Sequence, residues 1–316
     1  GSIALALILF DGGLRTRLAT FRNVLAPATT LATAGVLITT LITAPVAKVA
    51  LGMSWIQALL VGAVVASTDA AAVFLLINTR GLRLRPRVRA TLEVESGTND
   101  PFAVFLTLLL VEFLLAGGHT WSHVIVVFLR DTVLGSVIGV TGGRIITLVL
   151  NRLNLPQGLH APFVAVSALV VFAAANSAHS SGFLAVYLAG IVVGNRQTRA
   201  HNSLVAFLDA VTWLAQIVMF VLLGLLVWPQ RMGESLVGSI VVALALMLVA
   251  RPVSVFLCLA PFGFQWREKL FMSWVGLRGA VAIFLASIPL LVGLPAAYLF
   301  FDVAFVVVLS SLLIQG

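Results

Sequence analysis

The chain has 316 residues, of which 61% are hydrophobic and only 9% are charged. Soluble domains average about 45–50% apolar and about 25% charged residues, so this chain has too little polar surface to coat a water-soluble core. The composition predicts an all-α polytopic membrane protein and excludes soluble enzymes, coiled coils and disordered chains. The net charge of +8 does not indicate nucleic-acid binding, because Lys and Arg lie in short connections between apolar runs.

The apolar runs predict about eleven membrane segments, because a helix needs about 20 residues to cross a bilayer. The first segment is too short to span, and the chain begins without methionine, so we expect earlier spans to be missing from it. We predict one transmembrane transport domain over 1–316, in which 1–116 and 158–316 are approximate inverted repeats joined by 117–157. The segments are 3–10, 27–47, 55–77, 88–115, 124–150, 161–176, 182–193, 207–227, 236–259, 270–292 and 295–314.

Basic residues are distributed unevenly among the connections, which predicts the orientation. Thirteen lie in alternate connections, against only Lys48 and Arg231 in the others, so the first set is expected in the cytoplasm. Two arginines inside apolar segments, Arg144 and Arg251, are interpreted as snorkelling or pairing locally, whereas Arg278 lies deeper. The cytoplasmic set comprises Arg15, Arg17, Arg22, Arg80, Arg83, Arg85, Arg87, Arg89, Arg152, Arg196, Arg199, Arg267 and Lys269.

Acidic residues are few, and those inside apolar segments are expected to have a partner or a task. A rise of 1.5 Å per residue places Asp69, Glu95 and Asp100 roughly 9 to 16 Å from the cytoplasmic face. The same estimate gives Arg278 about the same depth. We therefore expect one of these carboxylates to compensate Arg278 and at least one other to titrate.

Two short motifs predict interrupted helices. The run 67–70 places Ser, Thr and Asp in succession within a membrane segment, which suits an unwound stretch lined by protein or water. Asp69 would then supply a charge between opposed half-helix ends. In 276–279 two glycines flank Arg278 and weaken the helix there. The two segments run antiparallel, as inverted repeats require.

Segment 93–101 predicts a cluster of oxygen ligands. Ser96 and Asp100 are four residues apart and share a helix face. Pro101 lacks an N–H and so releases the carbonyl of Gly97. Such oxygens suit hard monovalent cations, and no His or Cys is placed to favour a transition metal, so no cofactor is predicted.

Three motifs in order, STDAAAVF at 67–74, ESGTNDP at 95–101 and GLRGA at 276–280, resemble those of NhaP-type monovalent cation:proton antiporters, and most closely the bacterial potassium/proton branch. The resemblance extends over essentially the whole chain. It implies a thirteen-span inverted-repeat fold with broken, crossing helices, and it makes segment 3–10 part of the third span. It also implies a transporter of the bacterial inner membrane, a homodimer in lipid with its Arg-rich loops in the cytoplasm, and no nucleic-acid partner.

The resemblance further implies the ion ligands. Asp100 would bind either a proton or a cation, with Ser96 and the main-chain carbonyl of Thr68 as further ligands. Asp11 corresponds more loosely to an acid that the family carries on its third span.

Supporting roles also follow from the resemblance. Asn99 would hold the broken helix, Asp69 would compensate the half-helix ends, and Glu95 would pair with Arg278. Many family members have proline where this chain has Ala70, so the form of the break is less well defined by the resemblance.

The function implied is electroneutral exchange of K⁺, Na⁺ or both for H⁺, since an Asn rather than a second Asp precedes Asp100. A buried carboxyl group titrates at higher pH than a solvated one, which lets proton and cation compete. An ion-coupled symporter of an organic solute on a related fold is the alternative. An intramembrane protease, using Asp69 with Asp100 or the run 179–182, is disfavoured because Arg278 has no part in such chemistry.

Overall fold

A computed structural model describes residues 1–16, 22–79, 84–115, 121–153, 156–196 and 201–316. Within these ranges all regular structure is helical. A π-helical turn, Leu246–Ala250, joins α11 to α12 in one continuous rod. The helices are α1 (Ser2–Arg15), α2 (Arg22–Leu51), α3 (Trp55–Val64), α4 (Ala70–Thr79), α5 (Pro86–Leu115), α6 (Trp121–Arg152), α7 (His160–Ser177), α8 (Gly182–Gly194), α9 (His201–Leu226), α10 (Pro229–Met232), α11 (Leu236–Ala245), α12 (Arg251–Cys258), α13 (Trp266–Trp274), α14 (Ala280–Leu291) and α15 (Ala297–Gln315).

Seven helical spans in the described part of the chain are long and apolar enough to cross a membrane. They lie in α2, α5, α6, α7, α9, the α11–α12 rod and α15. The shorter helices α3, α8 and α14 are also apolar. The predicted multi-pass membrane protein is therefore confirmed. Four basic residues used to predict its orientation, Arg17, Arg80, Arg83 and Arg199, lie outside the described residues.

The helices form two compact units. The first unit comprises Gly1–Arg22 and His119–Leu222, and the second comprises Asn23–Gly118 and Leu223–Gly316. This division into units does not test the predicted inverted repeats over 1–116 and 158–316, which remain a prediction.

In the first unit, α8 packs against both α1 and α6 through glycines. A methyl group on Gly139 of α6 would overlap the main chain of Ala185. Likewise, a methyl group on Gly194 of α8 would overlap the carbonyl of Leu14. Small residues at these positions let the backbones approach closely, which is how membrane helices gain packing energy without a hydrophobic driving force.

The second unit has an apolar cluster where α2, α5, α12 and α13 meet. Bulky side chains from all four helices are buried there, and Ser254 donates a hydrogen bond to the carbonyl of Gly35 at 3.0 Å. This packing fixes the parts of α5 and α12 from which charged side chains project. The cluster contains Leu31, Val88, Leu92, Val255, Cys258, Leu259, Phe264 and Met272.

Two apolar segments of the second unit are interrupted where the sequence predicts it. The first segment is divided into α3 and α4 by residues 65–69, and the second into α13 and α14 by residues 275–279. Asp69 donates its backbone N–H to the carbonyl of Leu277 at 2.8 Å, so the two breaks touch. Four half-helix ends are thus brought to one place, which we call the crossing.

Candidate ion-binding site

The crossing combines unpaired backbone groups of both signs. The first N–H groups and the last carbonyls of a helix lack partners within that helix, so the ends carry partial charges of about +0.5 and −0.5. Here α3 and α13 end, and α4 and α14 begin. In an apolar surrounding these groups require hydrogen bonds and compensating charges.

Asp69 places a negative charge at the helix starts. Its Oδ1 accepts a hydrogen bond from the N–H of Ala72, in the first turn of α4, at 3.3 Å. Gly279, the residue just before α14, lies so close that a side chain on it would overlap the Asp69 carboxylate. A carboxylate next to two helix N-termini is favourably placed.

Arg278 places a positive charge at the end of α3. Its Nη1 donates to the carbonyls of Ala66 and, at 2.7 Å, Ser67. Its backbone N–H donates to Ser311 Oγ at 3.2 Å. Arg278 is only 1% exposed, so these carbonyls, in the break just after α3, provide its compensation.

The predicted pairing of Glu95 with Arg278 is wrong. Glu95 instead forms a two-point ion pair with Arg251, with Nη1–Oε1 at 2.5 Å and Nη2–Oε2 at 3.1 Å. Both side chains are buried, and Arg251 Nη2 also contacts the carbonyl of Met272 at 3.4 Å. The interpretation of Arg251 as snorkelling or locally paired is likewise wrong, because Arg251 is buried and its partner Glu95 lies 156 residues earlier in the chain.

Ser96 and Asn99 tie α5 to the first break. Ser96 Oγ donates to the carbonyl of Thr68 at 2.8 Å and accepts from the N–H of Ala70 at 3.0 Å. Asn99 Nδ2 lies 2.6 Å from Thr68 Oγ1. Asn99 Oδ1 is a buried acceptor without a hydrogen bond among the described residues. The structure thus brings the predicted residues of 67–70 and 95–100 together.

Asp100 lies one turn beyond Ser96 on the same face of α5. It is partly exposed. No ion pair to Asp100 is present in the described part of the chain. Asp100 is therefore the carboxylate of the crossing that still requires a positive partner.

Asp11 belongs to the first unit and makes its contacts there. Its Oδ2 accepts a hydrogen bond from Arg15 Nε at 2.9 Å, and Arg15 also contacts Asp209 at 2.6 Å. Asp11 is 4% exposed. Its other oxygen has no hydrogen bond among the described residues. Asp11 therefore occurs here as one member of an ion-pair network with a single arginine.

Sequence reasoning missed one further ion pair, whose acid is buried and whose arginine is partly exposed. Asp302 in α15 is bound at both oxygens by Arg231, at 2.9 and 3.1 Å. Arg231 also stacks on Tyr298, 4.2 Å from the ring centroid. An isolated acid in an apolar run was the available signal, but its partner comes from a connection 71 residues earlier.

The chain is similar to known transport proteins over its whole length. The family model described as sodium/hydrogen exchanger, transmembrane, matches residues 1–316. The chain is 47% identical to the K(+)/H(+) antiporter NhaP2 of Shewanella baltica (strain OS223), over 319 residues. It is 46% identical to the K(+)/H(+) antiporter NhaP of Alkalimonas amylolytica, over 318 residues. Each match covers 100% of this chain and 55% of the relative, so the chain spans about half the length of these relatives.

A solved structure shares the fold. The sodium proton antiporter MjNhaP1 from Methanocaldococcus jannaschii at pH 8 aligns with a TM-score of 0.89 and 25% sequence identity. The alignment covers 100% of this chain and 84% of that chain. The fold therefore occurs in a protein named as a sodium proton antiporter.

Proposed function

The chain belongs to the sodium/hydrogen exchanger family, and we propose that it exchanges a monovalent cation for H⁺ by alternating access, with Asp100 binding the two in competition. The function is transport rather than enzymatic catalysis. K⁺ and Na⁺ are the candidate cations. Two relatives at 46–47% identity are named K(+)/H(+) antiporters, which supports K⁺ as the first ion to test.

The charge balance of the crossing carries this proposal. Arg251 is neutralised by Glu95, Arg278 faces the carbonyl end of α3, and Asp69 faces the start of α4. Asp100 is the remaining carboxylate of the crossing, and no ion pair neutralises it among the described residues. An uncompensated carboxylate in the membrane costs several kcal/mol, so Asp100 is stable either protonated or next to a cation.

Exchange follows from this requirement. A moving unit with an empty, charged Asp100 would have to carry that charge past the barrier, whereas a proton or a cation neutralises it. Transport in one direction with H⁺ and in the other with a cation is then the favoured cycle. One titrating carboxylate returns one proton for each cation.

Ser96 and Thr68 supply the further proposed ligands. Their 2.8 Å hydrogen bond holds the Ser96 hydroxyl and the Thr68 carbonyl side by side, each with one lone pair left for a cation. Asn99 supports Thr68 from α5. Asp11 remains a proposed ligand on the strength of the resemblance alone, and binding there would require Arg15 to release it.

We also propose the finer architecture that the resemblance implies. The seven long spans, the two interrupted segments (α3 with α4, and α13 with α14), α8 and α1 would account for eleven segments of a thirteen-span fold, with inverted repeats over 1–116 and 158–316. The protein would lie in the bacterial inner membrane as a homodimer with its Arg-rich loops in the cytoplasm. Labelling of cysteines introduced at Arg196 and Glu234, both exposed, with an impermeant reagent tests the orientation, and cross-linking tests the dimer.

Reconstitution tests the central proposal. Full-length protein in liposomes, preloaded with a pH-sensitive dye, is given KCl, NaCl or choline chloride. We expect proton movement with K⁺ or Na⁺ and none with choline. Proton movement that requires an added organic solute would favour the symporter instead.

A further inference from the structure

Ala70 occupies an unusual position in the hydrogen bonding of the crossing. It is the first residue of α4, and its backbone N–H donates to Ser96 Oγ at 3.0 Å. The same oxygen donates its hydrogen to the Thr68 carbonyl. A hydroxyl oxygen has one hydrogen and two lone pairs. Both the hydrogen and one lone pair of Ser96 are thus already used.

We propose that the backbone N–H of Ala70 sets the cation preference of the site by weakening Ser96 as a ligand, and that it favours K⁺ over Na⁺. This inference rests on the proposed function, in which Ser96 is a cation ligand. The N–H withdraws one lone pair and adds a partial positive charge close to the cation. Na⁺ is smaller and more strongly hydrated than K⁺, so it needs a stronger oxygen field to replace its water. The number and field strength of the coordinating oxygens is one of the two explanations given for selectivity between these two ions, the other being the size of the cavity.

An ester in place of the amide before residue 70 removes this N–H with little other change. It is made by incorporating lactic acid at position 70, which keeps the methyl group of alanine. Proline would also remove the N–H, but its Cδ would lie where the N–H now meets Ser96 Oγ, so A70P would displace Ser96. The ester variant should therefore fold, with Ser96 gaining a free lone pair.

The experiment compares the KM for K⁺ and for Na⁺ at one pH, with full-length protein in proteoliposomes. In the ester variant we expect the ratio of KM for Na⁺ to KM for K⁺ to fall by about three- to tenfold, the equivalent of one hydrogen bond. A70G is the matched control, since it removes the methyl group and keeps the N–H, and its ratio should equal that of the wild type.

The outcomes separate this inference from the proposed function. An unchanged ratio in the ester variant, with exchange retained, would overturn the role of Ala70. An equal shift in A70G would also overturn it, because the effect would then come from the methyl group. Absence of cation-dependent exchange in the wild type, or exchange that persists in D100N, would instead defeat the proposed function itself.

Discussion

In the proposed mechanism, the carboxyl group of Asp100 alone binds both the proton and the cation. Asp100→Asn keeps the shape of the residue but cannot be charged, so we expect exchange to be abolished while the protein stays folded. Glu112→Gln is the matched control, because Glu112 is an exposed acid on the same helix. Dye-reported exchange in liposomes and melting temperature in detergent measure the two effects. Near wild-type exchange in D100N would show that another group carries the proton.

Glu95 and Arg251 are expected to act as a pair. Arg251→Met leaves a buried carboxylate without its partner and should destabilise the protein by about 3–5 kcal/mol. Glu95→Gln in the same chain should recover part of this loss. Arg278→Met is the control, since Arg278 compensates backbone carbonyls and Glu95→Gln should give it no such recovery. The melting temperatures of both double variants test this pairing. If Glu95→Gln stabilised the Arg278→Met variant and not the Arg251→Met variant, Glu95 would pair with Arg278 after all.

At the scale of a helix, the start of α14 approaches Asp69 so closely that position 279 requires glycine. Any side chain on Gly279 would overlap the Asp69 carboxylate, so Gly279→Ala should displace Asp69 from the helix starts. We expect a loss of about 1–3 kcal/mol from overpacking and slower exchange. Gly233→Ala is the control, because a methyl group on Gly233 would lie 3.9 Å from its nearest neighbouring atom and the backbone there is helical. Equal melting temperatures for the two variants would show that Asp69 is free to move.

The helix breaks could be predicted from sequence, whereas the partner of Arg278 could not. A polar run at 67–70 and two glycines at 276–279 are local signals, and the structure has breaks at both. Depth can also be estimated, at 1.5 Å per residue, but depth alone does not say which way a side chain points. The π-helical turn Leu246–Ala250 adds a residue to one turn of the rod, so hydropathy along α11 does not predict the direction of Arg251.

The fold as a whole was more predictable than the details of its charges. Lipid admits only helices or closed barrels. A long apolar run therefore predicts a helical span, and such runs are enough to locate most of the spans. Ion pairs such as Arg231 with Asp302 and Arg251 with Glu95 join residues far apart in sequence. The sequence around either residue of a pair does not identify the other. Such pairs are fixed only when the helices have packed.

The charge balance of the second unit leads to a prediction for the whole molecule: exchange should be electroneutral. Asn99 beside Asp100 cannot take up a second proton, and Glu95 is held by Arg251. The membrane potential, worth about 2.3 kcal/mol per charge per 100 mV, should then leave the equilibrium unchanged. We would clamp proteoliposomes with valinomycin and K⁺, drive exchange with Na⁺, and compare end-point pH gradients at two voltages. If Na⁺ is not transported, K⁺ jumps on a solid-supported membrane should give no steady current. A voltage-dependent end point or a steady current would mean that a second acid carries a proton, with Glu93 and Asp11 the first to neutralise.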